Sequence, residues 1–575
     1  MQLIIHKNLR VTAMTKKIGI GVQDFGTLIR RNCFYVDKTN FIKEWWDRAD
    51  EVTLIARPRR FGKTLNMNML DYFFSVNHAK DRKLFEGLSI WNSEEYRKIQ
   101  GTYPVISISF ANVKETDFDN TFKMICKIIY NVYEANEQIL EGDRLTDEQK
   151  RQFCHIRESL RNADSKVEAA MALHQLSVYM HQHYGKKVII LLDEYDTPVQ
   201  EAYVNGFWDE LVAFTRSLFN STFKTNPALE KGLMTGITRI SKESIFSDLN
   251  NLKVITTTSK EYATSFGFTE EEVFSAMEEM GLTNFDEVKR WYDGFVFGET
   301  TDIYNPWSII NYLDSGKLDV YWANTSANSL AGKLIRLGSK ETKESFEILL
   351  RGEAIETQLD EQIVYSQLGR KKGAVWSLLL ASGYLKVVES DISEWNFKLK
   401  LTNYEVTLMF QRMVSEWFAG EDNGYNEFIE ALLDDDVESM NEYMNEVSEV
   451  MFSSFDTGTR PSRSAPERFY HGFVLGLMVD LQGRYVITSN RESGLGRYDI
   501  MLEPLQGDNA IIIEFKVKKP KESTLEETVI AALSQIDEKK YDSILINRGI
   551  DSSRIRKYGF AFEGKKVLIG KSNGE

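Results

Sequence analysis

The chain has few cysteines and histidines and no long apolar run. Its 575 residues include three cysteines and seven histidines, and neither set has the paired spacing of a disulfide framework or a zinc site. We therefore expect reduced thiols in a cytoplasmic protein. Because no run of 18 apolar residues and no signal-peptide pattern occurs, we predict neither a membrane span nor secretion.

The chain also lacks an excess of positive charge. Its 70 Lys and Arg residues are outnumbered by 85 Asp and Glu residues, which gives a formal net charge of −15 at pH 7. This charge argues against a nucleic-acid-binding surface over the whole protein, so any such contact must be local. The basic stretches 516–521 and 554–571 are the candidate contacts, and ordinary solvated lysines explain them equally well.

A strand, a basic loop and a helix are predicted near the start of the chain. The apolar run Val52–Ala56 indicates a buried strand, and the apolar spacing over Lys63–Phe74 indicates a helix. The loop between them, RPRRFGKT, matches the phosphate-loop pattern G-x-x-x-x-G-K-[ST], except that Arg57 replaces the first glycine. A basic strand-to-helix turn that happens to contain GKT is the alternative interpretation.

This loop predicts a binding site for ATP and Mg²⁺. Gly62 would let the backbone approach the phosphates, Lys63 would reach the β and γ oxygens, and Thr64 would offer a hydroxyl to Mg²⁺. A guanidinium can bind phosphate through two bonds. Three arginines are therefore expected to hold phosphate or to act on a neighbouring subunit of a homo-oligomer: Arg57, Arg59 and Arg60.

A second buried strand is predicted to end in two acids. In GKKVIILLDEYDTPVQ, residues 185–200, a continuous apolar run is followed by Asp193 and Glu194, as in a parallel strand covered on both faces. Asp193 is expected to hold the Mg²⁺ shell, and Glu194 to polarise the attacking water. The spacing from Lys63 leaves room for an intervening strand at 104–110. An ordinary strand with a solvated acidic end is the alternative.

A third strand candidate, KGLMTGITRIS at 231–241, ends in polar residues. Thr235 or Thr238 could sense the γ-phosphate, and Arg239 could offset charge in the transition state. A basic residue that simply closes a strand explains Arg239 equally well.

Three further segments flank these motifs along the chain: FYVDKTNFI at 34–42, WYDGFVFG at 291–298 and IYNPWSI at 303–309. Together with the motifs, they make residues 18–330 resemble the bacterial AAA-ATPase-like proteins. The resemblance implies a P-loop ATPase core followed by a helical lid. It does not say what work the ATP does. Beyond the lid, alternating residues at 385–401 predict a short hairpin.

The C-terminal region holds a second pattern typical of an enzyme. A strand carrying Asp499 is followed by a turn-rich break and a second strand, Ala510–Val517. Because side chains alternate along a strand, Glu514 and Lys516 share a face. Asp499, Glu514 and the carbonyl of Phe515 could hold Mg²⁺. Lys516 would then orient a water for attack on a phosphate.

This arrangement resembles the PD-(D/E)XK nuclease fold, over residues 428 to 575. The resemblance adds Glu467 as a further acid on a helix and Gln535 on the helix after the second strand. The proline of the family pattern is replaced here by Tyr498, a position that is commonly relaxed. A nuclease-like fold that binds without cutting is the alternative.

The predicted fold class is α/β, with a P-loop NTPase parallel sheet, a helical lid and a winged-helix-like module, followed by a smaller α/β PD-(D/E)XK nuclease-like domain. The expected domains are a poorly ordered leader at 1–17, an AAA-ATPase-like core at 18–268, the lid and winged-helix-like module at 269–425, and the nuclease-like domain at 426–575. The acidic helices near 430–452 are expected to form a solvated connector.

Two classes of function agree with these patterns. The first is an ATP-binding and ATP-hydrolysing protein coupled to a Mg²⁺-dependent nuclease that acts on nucleic acid, with DNA as the expected substrate. The second is a regulatory or scaffold ATPase whose nuclease-like domain binds nucleic acid or protein without cutting. The completeness of both acidic sites favours the first.

Overall fold

In the computed structural model, the chain forms two compact units. The first comprises Met1–Ala327 and Glu356–Glu405, and the second comprises Asn328–Ile355 and Val406–Glu575. The domain boundaries expected from the sequence stay predictions. The structure describes residues 16–237, 245–246, 249–322, 329–336, 340–359, 373–391, 396–418, 424–455, 474, 478, 481, 484–489, 492–493, 496–497, 499–519, 521–563 and 566–572.

The helices and strands alternate over much of the chain. The helices are α1 Phe25–Arg30, α2 Asn40–Asp47, α3 Lys63–Phe74, α4 Glu94–Ile99, α5 Phe118–Ala135, α6 Asp147–Asn162, α7 Lys166–Tyr184, α8 Thr197–Asn205, α9 Trp208–Phe223, α10 Glu270–Met280, α11 Phe285–Tyr292, α12 Pro306–Ser315, α13 Ser329–Arg336, α14 Lys340–Leu350, α15 Ala374–Ala381, α16 Tyr404–Phe418, α17 Gly424–Asp434, α18 Val437–Phe455, α19 Leu525–Glu538 and α20 Ser543–Asn547. The strands are β1 Val52–Ala56, β2 Val105–Ser109, β3 Val188–Asp193, β4 Leu229–Gly236, β5 Leu252–Ile255, β6 Phe268–Thr269, β7 Phe295–Phe297, β8 Thr300–Tyr304, β9 Ile355–Gln358, β10 Leu385–Asp391, β11 Asn396–Leu401, β12 Tyr485–Ser489, β13 Glu492–Ser493, β14 Gly496–Arg497, β15 Ile500–Pro504, β16 Ala510–Val517, β17 Ile555–Glu563 and β18 Lys566–Lys571.

A parallel sheet with strand order β2-β3-β4-β1-β5 forms the centre of the first unit. Every residue of β1 and β3 is buried, as expected for parallel strands covered by helices on both faces. The strand predicted at 104–110 is present as β2, but it lies beyond β3 at the edge, and β4 separates β1 from β3. The carboxyl ends of β1, β3 and β4 therefore meet at one edge, where open α/β sheets bind ligands.

The first unit continues beyond this sheet with smaller elements. Helix α10 begins at a capping box made by Thr269 and Glu272. The Glu272 carboxylate also accepts hydrogen bonds of 2.7 and 2.8 Å from Lys38, which joins the FYVDKTNFI segment to this helix. The hairpin predicted at 385–401 is confirmed, because β10 and β11 pair in antiparallel fashion.

The second unit contains a smaller mixed sheet of order β12-β15-β16-β17-β18. Only the β16–β17 pair is parallel among these described strands. Parallel neighbours need a crossover connection, and helix α19 lies in the chain between them. The parallel sheet of the first unit and this mixed sheet confirm the predicted α/β class.

The acidic helices α17 and α18 are not a solvated connector, so that expectation was wrong. Phe428, Leu432 and Met444 of these helices are fully buried in the core that contains the inner face of the second sheet. Asn441 and Asn445 of α18 also exchange hydrogen bonds of 2.7 to 3.0 Å with the backbone of the edge strand β18. The polar residues of these helices suggested exposure to solvent, but the asparagines instead bind the backbone groups of the sheet edge. Those groups would otherwise be open to pairing with another strand.

Residues 1–15 of the predicted leader lie outside the described residues, and Lys17 forms a β-bridge with Cys33. Across the described ranges, no helix is both long enough and apolar enough to cross a membrane.

Gly294 provides a test of the packing between the WYDGFVFG segment and the end of β11. Its φ is 124°, and a Cβ at this position would overlap the carbonyl oxygen of Thr402 and lie 2.8 Å from Lys386 Nζ. We expect Gly294→Ala to lower the free energy of unfolding by about 2–5 kcal/mol, because the steric overlap adds to the cost of the positive φ. Gly281→Ala is the control, because Gly281 has a φ of 75° and an added Cβ would meet no atom of the described residues within 4 Å, other than those of its chain neighbours. This substitution should cost about 1 kcal/mol. Urea titration measures both, and equal losses would contradict this account.

Candidate nucleotide and nuclease sites

A cavity of about 770 Å³ opens at the carboxyl edge of the parallel sheet. It is lined by the loop between β1 and α3, by the two acids after β3, and by Trp307 at the start of α12. Gly62 precedes α3 with a φ of 80°, and apart from the adjacent residues no atom of the described part of the chain lies within 4 Å of the place where a Cβ would stand. A glycine adopts this conformation without strain, so the loop can bring backbone amides toward a ligand.

Asp193 is the centre of the polar contacts in this cavity. Thr64 Oγ1 donates a 2.7 Å hydrogen bond to Asp193 Oδ2, and Thr235 donates to the other carboxylate oxygen. Asp193 is only 4% exposed. Burial raises its pKa, the adjacent Glu194 raises it further, and the two threonine hydroxyls oppose the shift. The carboxylate of Asp193 thus connects β3 with β4 and with α3, the helix that follows the phosphate loop and is called the loop helix below.

Lys63 is buried beneath the loop. Its ammonium donates hydrogen bonds of 3.1 Å to the Arg57 carbonyl and 3.0 Å to the Pro58 carbonyl. It also lies 3.7 Å from Glu194 Oε1. The lysine that should neutralise phosphate charge therefore lies beside the acid that should activate water.

Glu194 has an uncommon backbone conformation. Its φ is 53°, which is rare for a residue with a side chain. The Glu194 amide lies 3.4 Å from Thr235 Oγ1, and Thr197 Oγ1 lies 3.4 Å from Glu194 Oε2. Such backbone strain persists where surrounding contacts fix it, often at functional sites.

The three loop arginines have different environments. Arg57 does not line the cavity: its fully buried guanidinium donates to the Thr256 and Glu261 carbonyls and lies 4.2 Å from the centre of the Phe297 ring. Burial lowers its pKa to about 9. This arrangement departs from the expected phosphate contact, because the side chain satisfies backbone carbonyls on the other side of the loop. Arg59 and Arg60 do line the cavity.

Thr235, one of the polar candidates of the third predicted strand, lies near the end of β4 and donates to Asp193. Its expected role in sensing the γ-phosphate stays a prediction. Thr238 and Arg239, the other two candidates at this strand tip, lie outside the described residues. The residues that line the cavity and that sequence reasoning missed include Ser109 at the end of β2 and Gln200 on α8. Gln200 accepts a 3.2 Å hydrogen bond from Arg59, a contact between distant segments that no local pattern reveals.

These residues fit Mg²⁺ and a nucleotide in chemical type. Thr64 and Asp193 offer the hard oxygen atoms that Mg²⁺ prefers, already within hydrogen-bond distance of each other. The buried ammonium of Lys63 and the glycine turn at Gly62 suit a phosphate chain.

The second candidate site lies between β15, β16 and α19. Asp499 immediately precedes β15, and its carboxylate accepts a 2.8 Å hydrogen bond from the Phe515 amide on β16. Gln535 on α19 donates to Glu514 and accepts a 2.5 Å bond from Lys516. Glu514 and Lys516 thus point to the same face of β16, and Gln535 connects them.

Arg351 is a residue near this site that the sequence did not indicate. Burial raises the pKa of Asp499 to about 6, and this shift is opposed by the Phe515 amide, Lys516 and then Arg351. Arg351 follows α14, in a segment predicted to belong to the lid module, but that segment is part of the second unit. About 150 residues separate Arg351 from Asp499, so only the fold brings their charges together.

The second site fits a divalent cation in part. Asp499 and Glu514 are oxygen ligands of the right kind, and Glu514 is only 3% exposed. Within the described part of the chain, no group of three or more His, Cys, Asp or Glu side chains is placed to hold a metal. Glu467, the predicted third acid, lies outside the described residues. The carbonyl of Phe515 stays a predicted ligand.

Comparison with known families agrees with these two regions. Residues 19–246 match a family described as predicted AAA-ATPase, of the AAA-ATPase-like type, and residues 465–572 match the PD-(D/E)XK nuclease superfamily. Two separate regions of the chain thus match these family models, which confirms the two resemblances seen in the sequence.

The chain is also similar to a curated protein from Azotobacter chroococcum mcd 1. That protein is named "Uncharacterized protein in vnfD 5'region" and is 29% identical over 315 residues. The match covers 54% of each protein, so the chain spans about half the length of this relative.

Gln535 offers a stability test of the second site. Gln535→Ala should leave the buried Glu514 without this donor and cost about 1–3 kcal/mol of unfolding free energy. The neighbouring Ser534→Ala on the exposed side of α19 is the matched control, and it should change stability by no more than about 0.5 kcal/mol. Urea unfolding of the two variants checks this, and a loss for Gln535→Ala no larger than the control would count against the bridge.

Proposed function

We propose that this protein binds and hydrolyses ATP with Mg²⁺ and is coupled to a Mg²⁺-dependent nuclease that acts on nucleic acid, with DNA as the substrate. The observation that carries the proposal is the pair of contacts that Asp193 makes with Thr64 and Thr235. It brings the loop helix and two strand ends to one cavity, as nucleotide binding requires. The AAA-ATPase-like match over 19–246 supports the same assignment.

Each residue of the first site has a role in this proposal. Lys63 would neutralise the β and γ oxygens once the phosphate replaces the loop carbonyls that now accept its hydrogen bonds. Thr64 and Asp193 would hold Mg²⁺, which supplies positive charge against the phosphate oxygens. Glu194 would accept a proton from the attacking water. Arg239 remains a candidate for transition-state charge.

The second site is proposed to cut a phosphodiester. Asp499, Glu514 and the Phe515 carbonyl would hold Mg²⁺, with Glu467 as a further acid. Lys516, oriented by Gln535, would position the attacking water in line with the phosphate. The PD-(D/E)XK match over 465–572 supports this role.

The proposal also includes a cytoplasmic location and a homo-oligomeric state. Cys33, Cys126 and Cys154 are free thiols, as expected for a protein of the reducing cytoplasm. A homo-oligomer would allow Arg59 to act on a neighbouring subunit, if its contact with Gln200 opens.

The ATP site is tested by two substitutions with different expected results. Lys63→Ala should abolish ATP binding, because it removes the charge that faces the phosphates. Glu194→Gln should keep binding and reduce turnover by at least about 100-fold, because it removes only the base. Calorimetric titration with Mg·ATP and release of phosphate measure the two effects.

The exposed Lys83→Ala is the control for the lysine substitution, and it should match wild type in both assays. Equal ATP affinity in wild type and Lys63→Ala would sink the assignment of this site.

The nuclease site is tested on supercoiled plasmid, single-stranded DNA and RNA, each with Mg²⁺ or Mn²⁺ and with or without ATP. Asp499→Ala, Glu514→Ala and Lys516→Ala should each remove cutting and leave ATP hydrolysis largely intact. The first two should also weaken Mg²⁺ binding, because each removes an oxygen ligand. Lys516→Ala should leave metal binding nearly unchanged.

Lys539→Ala, an exposed lysine directly after α19 and outside both basic stretches, is the control for loss of positive charge. Cutting of RNA alone would replace DNA as the substrate. If wild type cuts none of the three substrates, the binding-only alternative takes the place of the nuclease.

A further inference from the structure

Arg60 is the one loop arginine whose guanidinium has no hydrogen bond or ion pair within the described residues. Arg57 donates to Thr256 and Glu261, and Arg59 donates to Gln200. The Arg60 guanidinium instead lies 4.3 Å from the centre of the Trp307 ring. Both residues line the nucleotide cavity.

Stacking on an aromatic ring leaves the donors of an arginine available. The guanidinium is planar, and its five N–H groups lie in that plane, so its face can contact a ring while its edge binds phosphate. Trp307 therefore restricts the orientation of Arg60 without using its donors. Arg60 also has a φ of 66°, a conformation that is uncommon for a residue with a side chain.

Trp307 is itself fixed to the same loop. Asn305, which is fully buried, accepts a 2.9 Å hydrogen bond from the Trp307 amide and donates a 3.3 Å bond to the Arg59 carbonyl. The Trp322 indole donates a second bond, of 3.1 Å, to the same Arg59 carbonyl. Asn305 and Trp322 thus fix the position of the loop, and Asn305 connects it to the residue that carries the ring.

We propose that Trp307 is a positioning residue of the nucleotide site, which orients the Arg60 guanidinium toward the phosphate chain of a bound nucleotide. The inference rests on the proposed ATP binding and adds a residue to it. It also means that helix α12, which begins beside Trp307, is linked to occupancy of the cavity. Because such a linkage is reciprocal, a ligand that fixes Arg60 must also change the surroundings of the indole.

The proposal is tested with two ligands that share a phosphate chain but differ in the base. Equilibrium binding of Mg·ATP and of inorganic tripolyphosphate is measured for wild type and Trp307→Ala. Loss of a cation–π contact should weaken both ligands by about 3- to 30-fold. Trp307→Phe should recover most of the affinity, since phenylalanine keeps an aromatic face.

A double-mutant cycle shows whether the effect passes through Arg60. Arg60→Ala should weaken both ligands, and adding Trp307→Ala to it should cause little further loss. Tryptophan fluorescence should change when wild type binds tripolyphosphate, and this change should be reduced in Trp307→Phe but retained in the control Trp91→Phe, which lies outside the cavity.

Four results would overturn the inference. The first is unchanged affinity for both ligands in Trp307→Ala, and the second is weaker binding of ATP alone, which would indicate a contact with the base. The third is additive losses in the double variant. The fourth is a fluorescence change that Trp307→Phe retains in full. If wild type binds neither ligand, the inference fails together with the proposed ATPase. If Lys63→Ala abolishes ATP binding while Trp307→Ala has no effect, only the role of Trp307 fails.

Discussion

The arrangement of the first unit depends on the carboxylate of Asp193. Each of its two oxygens accepts a hydrogen bond from a hydroxyl, one from Thr64 on α3 and one from Thr235 on β4. A buried carboxylate is costly unless it is hydrogen-bonded, so the strand ends and the loop helix must stay in register to satisfy it. The same carboxylate is the proposed ligand of Mg²⁺. Stability and function therefore constrain this residue in the same direction.

The second unit uses a related solution with different atoms. Gln535 forms hydrogen bonds with both the buried Glu514 and the Lys516 ammonium, and the Phe515 amide donates to Asp499. The polar groups that we propose for the chemistry of this site are thus held by hydrogen bonds from neighbouring residues. Such support fixes the geometry of a site more closely than the reacting residues could alone.

Much of this organisation could be predicted from the sequence where the signal is local. The apolar run of β1, the helical spacing of α3 and the alternation along β16 each follow from short-range periodicity. The position of β4 between β1 and β3 could not be predicted that way, because strand order depends on contacts between distant segments. The burial of Arg57 and the charge of Arg351 near Asp499 are likewise consequences of the fold. Local pattern gave the elements and the acids, whereas the partners of those acids required the structure.

The most direct test of this account measures how Mg²⁺ changes nucleotide affinity. Binding of ATP is titrated with and without Mg²⁺ for wild type and for Asp193→Asn, which keeps the size of the side chain and removes its charge. We expect Mg²⁺ to strengthen binding to wild type by at least about tenfold, and to have little effect on the variant, since the hard-cation ligand is lost. The same gain from Mg²⁺ in both proteins would contradict the central role of Asp193.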